Sequence, residues 1–91
     1  MTTPVTIITG ASAGIGTALA RVFARHGHTL ALVARREDRL KALAAELAAS
    51  GAPSPLIISA DIAQPDAVAH VAEMLAARDL EPQYVVNNAG F

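Results

Sequence analysis

The sequence contains no cysteine and no tryptophan. Without cysteine there can be no disulfide, no zinc–thiolate site and no thiol nucleophile. Aromatic residues make up only 3% of the chain, so any core must be aliphatic and rich in alanine. Neither sign of charge is in excess: the formal net charge is −1, and the longest basic cluster is the pair Arg35-Arg36. That argues against a nucleic-acid partner or a polybasic membrane surface. No apolar run approaches the roughly 20 residues that a membrane span needs. The opening Met1-Thr2-Thr3-Pro4 lacks the charged and apolar regions of a signal peptide. The expectation is a soluble, cytoplasmic protein with no membrane partner.

What is present is apolar and patterned. At 91 residues the chain has room for one small domain, taken as residues 1–91. A hydrophobic content of 53% against 16% charged excludes a disordered chain. Val5-Thr6-Ile7-Ile8-Thr9 is β-branched and reads as a first strand. Ile15, Leu19, Val22 and Phe23 recur at helical spacing, predicting a helix from about Gly14 to Arg25 that stops at Gly27. Leu30 to Ala34 is a second apolar strand. Leu40, Leu43 and Leu47 mark one face of a second helix, broken by the Pro/Gly/Ser-rich stretch 50–55. Leu56 to Ala60 reads as a third strand. A third helix takes Pro65 in its first turn and presents Val68, Val71 and Leu75. It ends between Asp79 and Pro82, and Tyr84 to Asn87 is a fourth strand.

Strands apolar on both faces and alternating with helices indicate an α/β fold: a three-layer, Rossmann-like parallel sheet, partial, in the order βαβαβαβ. Right-handed crossovers then put strands 2 and 3 on one side of strand 1 and strand 4 on the other, giving spatial order 3-2-1-4. The reversal between strands 1 and 4 opens a crevice at their carboxyl ends. Two candidate motifs fall at those ends.

The first is Thr9-Gly10-Ala11-Ser12-Ala13-Gly14-Ile15-Gly16, directly after a strand and opening a helix. A helix N-terminus offers free N–H donors and a positive field to a pyrophosphate. Gly10 would turn the chain off the strand, Gly14 would let backbone approach the anion, and Gly16 would let the helix pack on the strands. Ser12 adds a hydroxyl. With no Gly-Lys-Ser/Thr, a P-loop hydrolase is excluded. The second strand ends not in a carboxylate but in Arg35 and Arg36. Arginine offers forked, permanent charge to a 2′-phosphate, so the dinucleotide expected is NADP(H) in preference to NAD(H). The competing reading makes both arginines solvated caps of the second helix, paired with Glu37 and Asp38. Arg36 is the more natural bystander. His26 and His28 flank Gly27 and are read as structural or solvated, since no third metal ligand is evident.

The spacing Thr9-Gly10-x-x-x-Gly14-x-Gly16, Asp61 after strand 3 and Asn87-Asn88-Ala89-Gly90 after strand 4 together resemble the short-chain dehydrogenase/reductase family over the whole chain. The resemblance implies that Asp61 bonds the adenine amino group and that Ile62 contacts the ring. It also implies that Ile15 and Ala13 in the loop contribute to cofactor contact, that Asn87 ties the central strands, and that Asn88, Ala89 and Gly90 line the adenosine-ribose side. Asp61 as a cap of helix 3, and the asparagines as purely structural, stay open. The family reduces or oxidises a carbonyl or alcohol using a tyrosine with a lysine four residues on. Here Asn88 stands four residues after Tyr84, and Lys41 lies in helix 2. No residue of this chain is therefore assigned a catalytic role. The expectation is the cofactor-binding part of a longer enzyme, with a non-catalytic binding module or a structural fragment as alternatives. Strand 4 would be an apolar edge, predicting self-association of the isolated chain.

Overall fold

The computed structural model describes residues 2–11 and 14–87. The elements are β1 (Thr3–Thr9), α1 (Gly14–Arg25), β2 (Leu30–Ala34), α2 (Glu37–Ala49), β3 (Leu56–Ser59), α3 (Ala67–Ala76) and β4 (Leu80–Asn87). The strands form one parallel sheet in the order β3-β2-β1-β4. Order and direction are those expected from the alternation of strands and helices.

The period-two alternation of β1 divides the core. Ile8 joins Leu30, Leu32 and Ala34 under α1 and α2, where Leu40, Leu43 and Leu47 close the layer. Val5 and Ile7 join Ala31, Val33 and Ile58 on the opposite face, covered by Val71 and Leu75 of α3. β2 is buried along its entire length because it has helices on both faces and a strand on each side.

α1 rests on a different stripe from the one its large side chains suggest. Gly16, Ala20 and Ala24 are its buried residues. Ile15 is 70% exposed and Val22 39%, while Phe23 packs at the margin of the cluster. Small residues four apart let the helix backbone approach the sheet closely, and the bulkier neighbours are then pushed to the flanks. A similar shift occurs in α3, where Ala67, Val71 and Leu75 are buried and Val68 is 70% exposed. The helix also begins two residues after Pro65, because Asp61 to Asp66 is taken up by turns.

β4 starts four residues earlier than its apolar run indicates. Asp79 adopts the left-handed conformation (φ 54°) at the end of α3, and its carbonyl accepts the Thr3 N–H at 2.8 Å. Leu80, Glu81 and Pro82 can then pair with Thr3, Pro4 and Val5. Pro82 is tolerated because β4 is an edge strand. The register next passes from Val5↔Pro82 to Thr6↔Tyr84, skipping Gln83, which is a bulge. As a result Tyr84 stands in mid-strand on the α1 side, its ring centroid 5.8 Å from that of His28. His28 also meets Phe23 edge-on at 5.0 Å, and its Nδ1 shares a 2.9 Å hydrogen bond with the buried Thr6 hydroxyl. This places His28 in a structural role at the amino-terminal end of the sheet.

Candidate functional site

The parallel register brings the candidate residues to one edge. Thr9 pairs with Val33 on one side and Asn87 on the other, and Ala34 pairs with Ser59. The glycine loop, Arg35 and Asp61 therefore leave adjacent strands at the same, carboxyl end. Two further bonds hold that edge together. The Ala60 N–H donates to the Ala34 carbonyl at 2.9 Å, and the Thr9 hydroxyl donates to Asn87 Oδ1 at 3.0 Å across the β1–β4 reversal.

The loop begins with Gly10 at φ 66°, and α1 opens with Gly14 at φ 56°. Both values lie in the left-handed region that only glycine adopts freely. A Cβ added at Gly14 would meet no protein atom within 4 Å, so the space beside it is open. Gly16 lies on the buried face of α1. Ala11 is fully buried, and its N–H donates to the Val33 carbonyl at 3.3 Å. The Thr17 hydroxyl, in the first turn of α1, donates to the Ala11 carbonyl at 2.7 Å. Thr17 carries no sequence signal for this contact, since a bond to a residue six positions back has no periodic signature. The assignments to Ser12 and Ala13 fall outside the described residues, as do those to Asn88, Ala89 and Gly90.

The two arginines differ. Arg36 Nε and Nη2 reach Asp38 at 3.4 and 3.5 Å, and the hydrogen bond from Arg36 holds the Asp38 carboxyl below its ordinary range. Glu37 is taken by Lys41, at 3.6 Å. Arg35 is exposed and has no ion pair among the described residues. Its carbonyl accepts a long 3.4 Å bond from the Ser59 hydroxyl. Asp61 is half-buried, and its Oδ1 accepts the Ala63 N–H at 3.0 Å. It thus caps the turn ahead of α3 rather than the helix, which begins after Asp66. Ile62 lines a cleft of about 230 Å3 with Val68, Ala72, Pro82 and Val85.

This is the architecture of a dinucleotide-binding α/β fold: a glycine turn between first strand and first helix, set at a topological switch point. The family model for short chain dehydrogenases matches residues 4–91, and the chain belongs to that family. It is 40% identical over 83 residues to a short chain dehydrogenase/reductase of Macrophomina phaseolina, covering 91% of this chain and 47% of the relative. It is 38% identical over 84 residues to the NADPH-dependent pterin aldehyde reductase of Arabidopsis thaliana, covering 92% and 34%. Among solved structures it resembles L-sorbose reductase from Gluconobacter frateurii complexed with NADPH and L-sorbose. There the TM-score is 0.89 and the identity 38%, over 100% of this chain and 35% of that one. A short-chain dehydrogenase from Sphingobium yanoikuyae in complex with NADPH gives a TM-score of 0.82 at 42% identity, over 97% and 34%. The chain spans less than half the length of each of these proteins.

Proposed function

We propose that this chain is the cofactor-binding part of an NADP(H)-dependent oxidoreductase acting on a carbonyl or alcohol. The observation that carries the reading is the convergence of the Gly10–Gly16 loop, Arg35 and Asp61 at the carboxyl edge of four paired strands. In this reading the loop and the N-terminus of α1, with Ser12, Ala13 and Ile15, receive the pyrophosphate. Arg35 receives the 2′-phosphate, and Arg36, already engaged by Asp38, lends field rather than contact. Asp61 Oδ2 and Ile62 hold the adenine, and Asn88, Ala89 and Gly90 border the ribose.

These residues fit the group. The space beside Gly14 is open, the loop leads into a helix N-terminus, and of the two arginines that follow β2, Arg35 has no ion pair among the described residues. NADPH in the two solved relatives supports the same choice. A bound nicotinamide supplies or accepts hydride. The proposal assigns no catalytic role to Tyr84, which packs against His28, or to Lys41, which pairs with Glu37. No described helix is long and apolar enough to cross a membrane. A cytoplasmic setting and self-association through the β4 edge complete the proposal.

The test is a titration of the full chain with NADPH and NADH, repeated with Arg35→Asp. Losing a charge-assisted hydrogen bond, worth about 1.5–3 kcal/mol, should weaken NADPH at least about tenfold and leave NADH much less affected. Equal losses for the two cofactors would remove the assignment of Arg35, and no binding of either would remove the function.

A further inference from the structure

We infer that Thr17 is a positioning residue for the pyrophosphate seat, clasping the glycine loop from below; this rests on the cofactor reading above. Loop residues contribute to anion binding only if their N–H groups and those of the helix aim at one point. Gly10 and Gly14 both stand in the left-handed region, and glycine gives up more conformational freedom on ordering than any other residue. Something must remove that freedom before the anion arrives, or binding has to supply the ordering.

Ala11 is where it is removed. Its side chain is fully buried and its N–H is held by the Val33 carbonyl of β2. Its carbonyl is held by Thr17 Oγ1 at 2.7 Å, close to the most common O–H···O distance. A helical threonine ordinarily returns its hydroxyl to the carbonyl three or four residues back within the helix. Here the bond leaves the helix and reaches six residues back, onto the arm that rises from β1. The loop is thus joined at its base to β2 by one bond and to the first turn of α1 by the other. The helix N-terminus and the loop are set against each other by a side chain that need not touch the cofactor itself.

The experiment compares wild type, Thr17→Ser and Thr17→Val in the full chain, with two probes. NADPH engages the pyrophosphate seat, whereas adenosine 2′-monophosphate engages only the adenosine and 2′-phosphate end. Thr17→Val should bind NADPH about three- to tenfold more weakly, the net worth of one hydrogen bond. It should bind adenosine 2′-monophosphate unchanged, and Thr17→Ser should restore NADPH affinity. Equal NADPH affinity in Thr17→Val and wild type overturns the inference. So does a parallel loss of both probes, which would make Thr17 a folding residue only, or a failure of Thr17→Ser to restore binding. If Thr17→Val is unfolded by circular dichroism, Thr17→Ala carries the same comparison with the same outcomes. A wild-type chain that binds neither probe overturns the cofactor reading itself, a result distinct from the other three.

Discussion

β2 and the apolar run Tyr84, Val85 and Val86 of β4 lie in the same sheet, flanking the same β1, and their surroundings are opposite. β2 has β3 on its other side, helices over both faces, and no residue left accessible. Among the described residues β4 pairs only with β1, and it is exposed over most of its length, with Tyr84 52% and Val85 63% exposed. The two helices α1 and α2 close one face of the sheet, whereas α3 alone covers part of the other and leaves the cleft against β4. Apolar composition is thus a poor guide to burial. What buries a strand is the number of elements its position lets it touch.

Three experiments sharpen the contrast. Leu32 in β2 is completely buried, and Leu32→Ala should destabilise the chain by about 2–5 kcal/mol, counting the cavity left behind. Val85→Ala, an equally apolar truncation on β4, should stay within about 0.5 kcal/mol of wild type. Urea unfolding of both variants measures the difference, and comparable costs would mean that β4 is buried in solution. Next in size is association. An accessible apolar edge templates pairing with another chain, so wild type should sediment as more than a monomer at tens of micromolar. Val85→Lys should shift it toward monomer. If the distribution is unaffected by this substitution, the β4 edge is not the contact.

The smallest effect lies on the closed face. Arg21 Nε and Nη2 fork onto Glu46 at 2.6 and 3.0 Å, joining α1 to α2 at the surface. The hydrogen bond from Arg21, and next its charge, hold the Glu46 carboxyl below its ordinary value. Arg36 does the same for Asp38. A carboxyl depressed in the folded state contributes stability above its unfolded pKa and loses it as pH falls through the folded one. Both pairs are solvent-exposed, so the contribution is small and screened by salt. Glu46→Gln should lower the unfolding midpoint slightly at neutral pH, and the gap to wild type should close on acidification. A gap that persists unchanged in strong acid would assign the loss to packing instead.

Local pattern served best where local forces dominate. α1 runs from Gly14 to Arg25 and β2 from Leu30 to Ala34, as their periodicity and flanking glycines indicate. Neither element depends on a distant partner for its limits. β1 and β4 depend on each other: both lengthen because Asp79 turns the chain so that Leu80 meets Thr3. Pro82 reads as a breaker in isolation and is an acceptable edge residue once its position in the sheet is known. In the site, Gly10, Arg35 and Asp61 were legible because each follows a strand. So was Arg36 as the arginine more readily engaged by a neighbour, which is Asp38. The skip at Gln83 that sets Tyr84 beside His28 was not.

Glycine spacing and strand–helix alternation suffice to specify the fold family, its strand order and the edge of the sheet at which the candidate residues gather. These rest on backbone sterics and crossover handedness, which act over a few residues or follow from chain connectivity. Which stripe of α1 meets the sheet, where β4 begins and which side chain steadies the glycine loop are settled by contacts between residues far apart in the fold. The Thr17–Ala11 clasp stands between the two cases. Its partners are six positions apart in sequence, and Ala11 is buried in the same cluster as Ala20 and Ala24 of α1 and Leu30, Leu32 and Ala34 of β2.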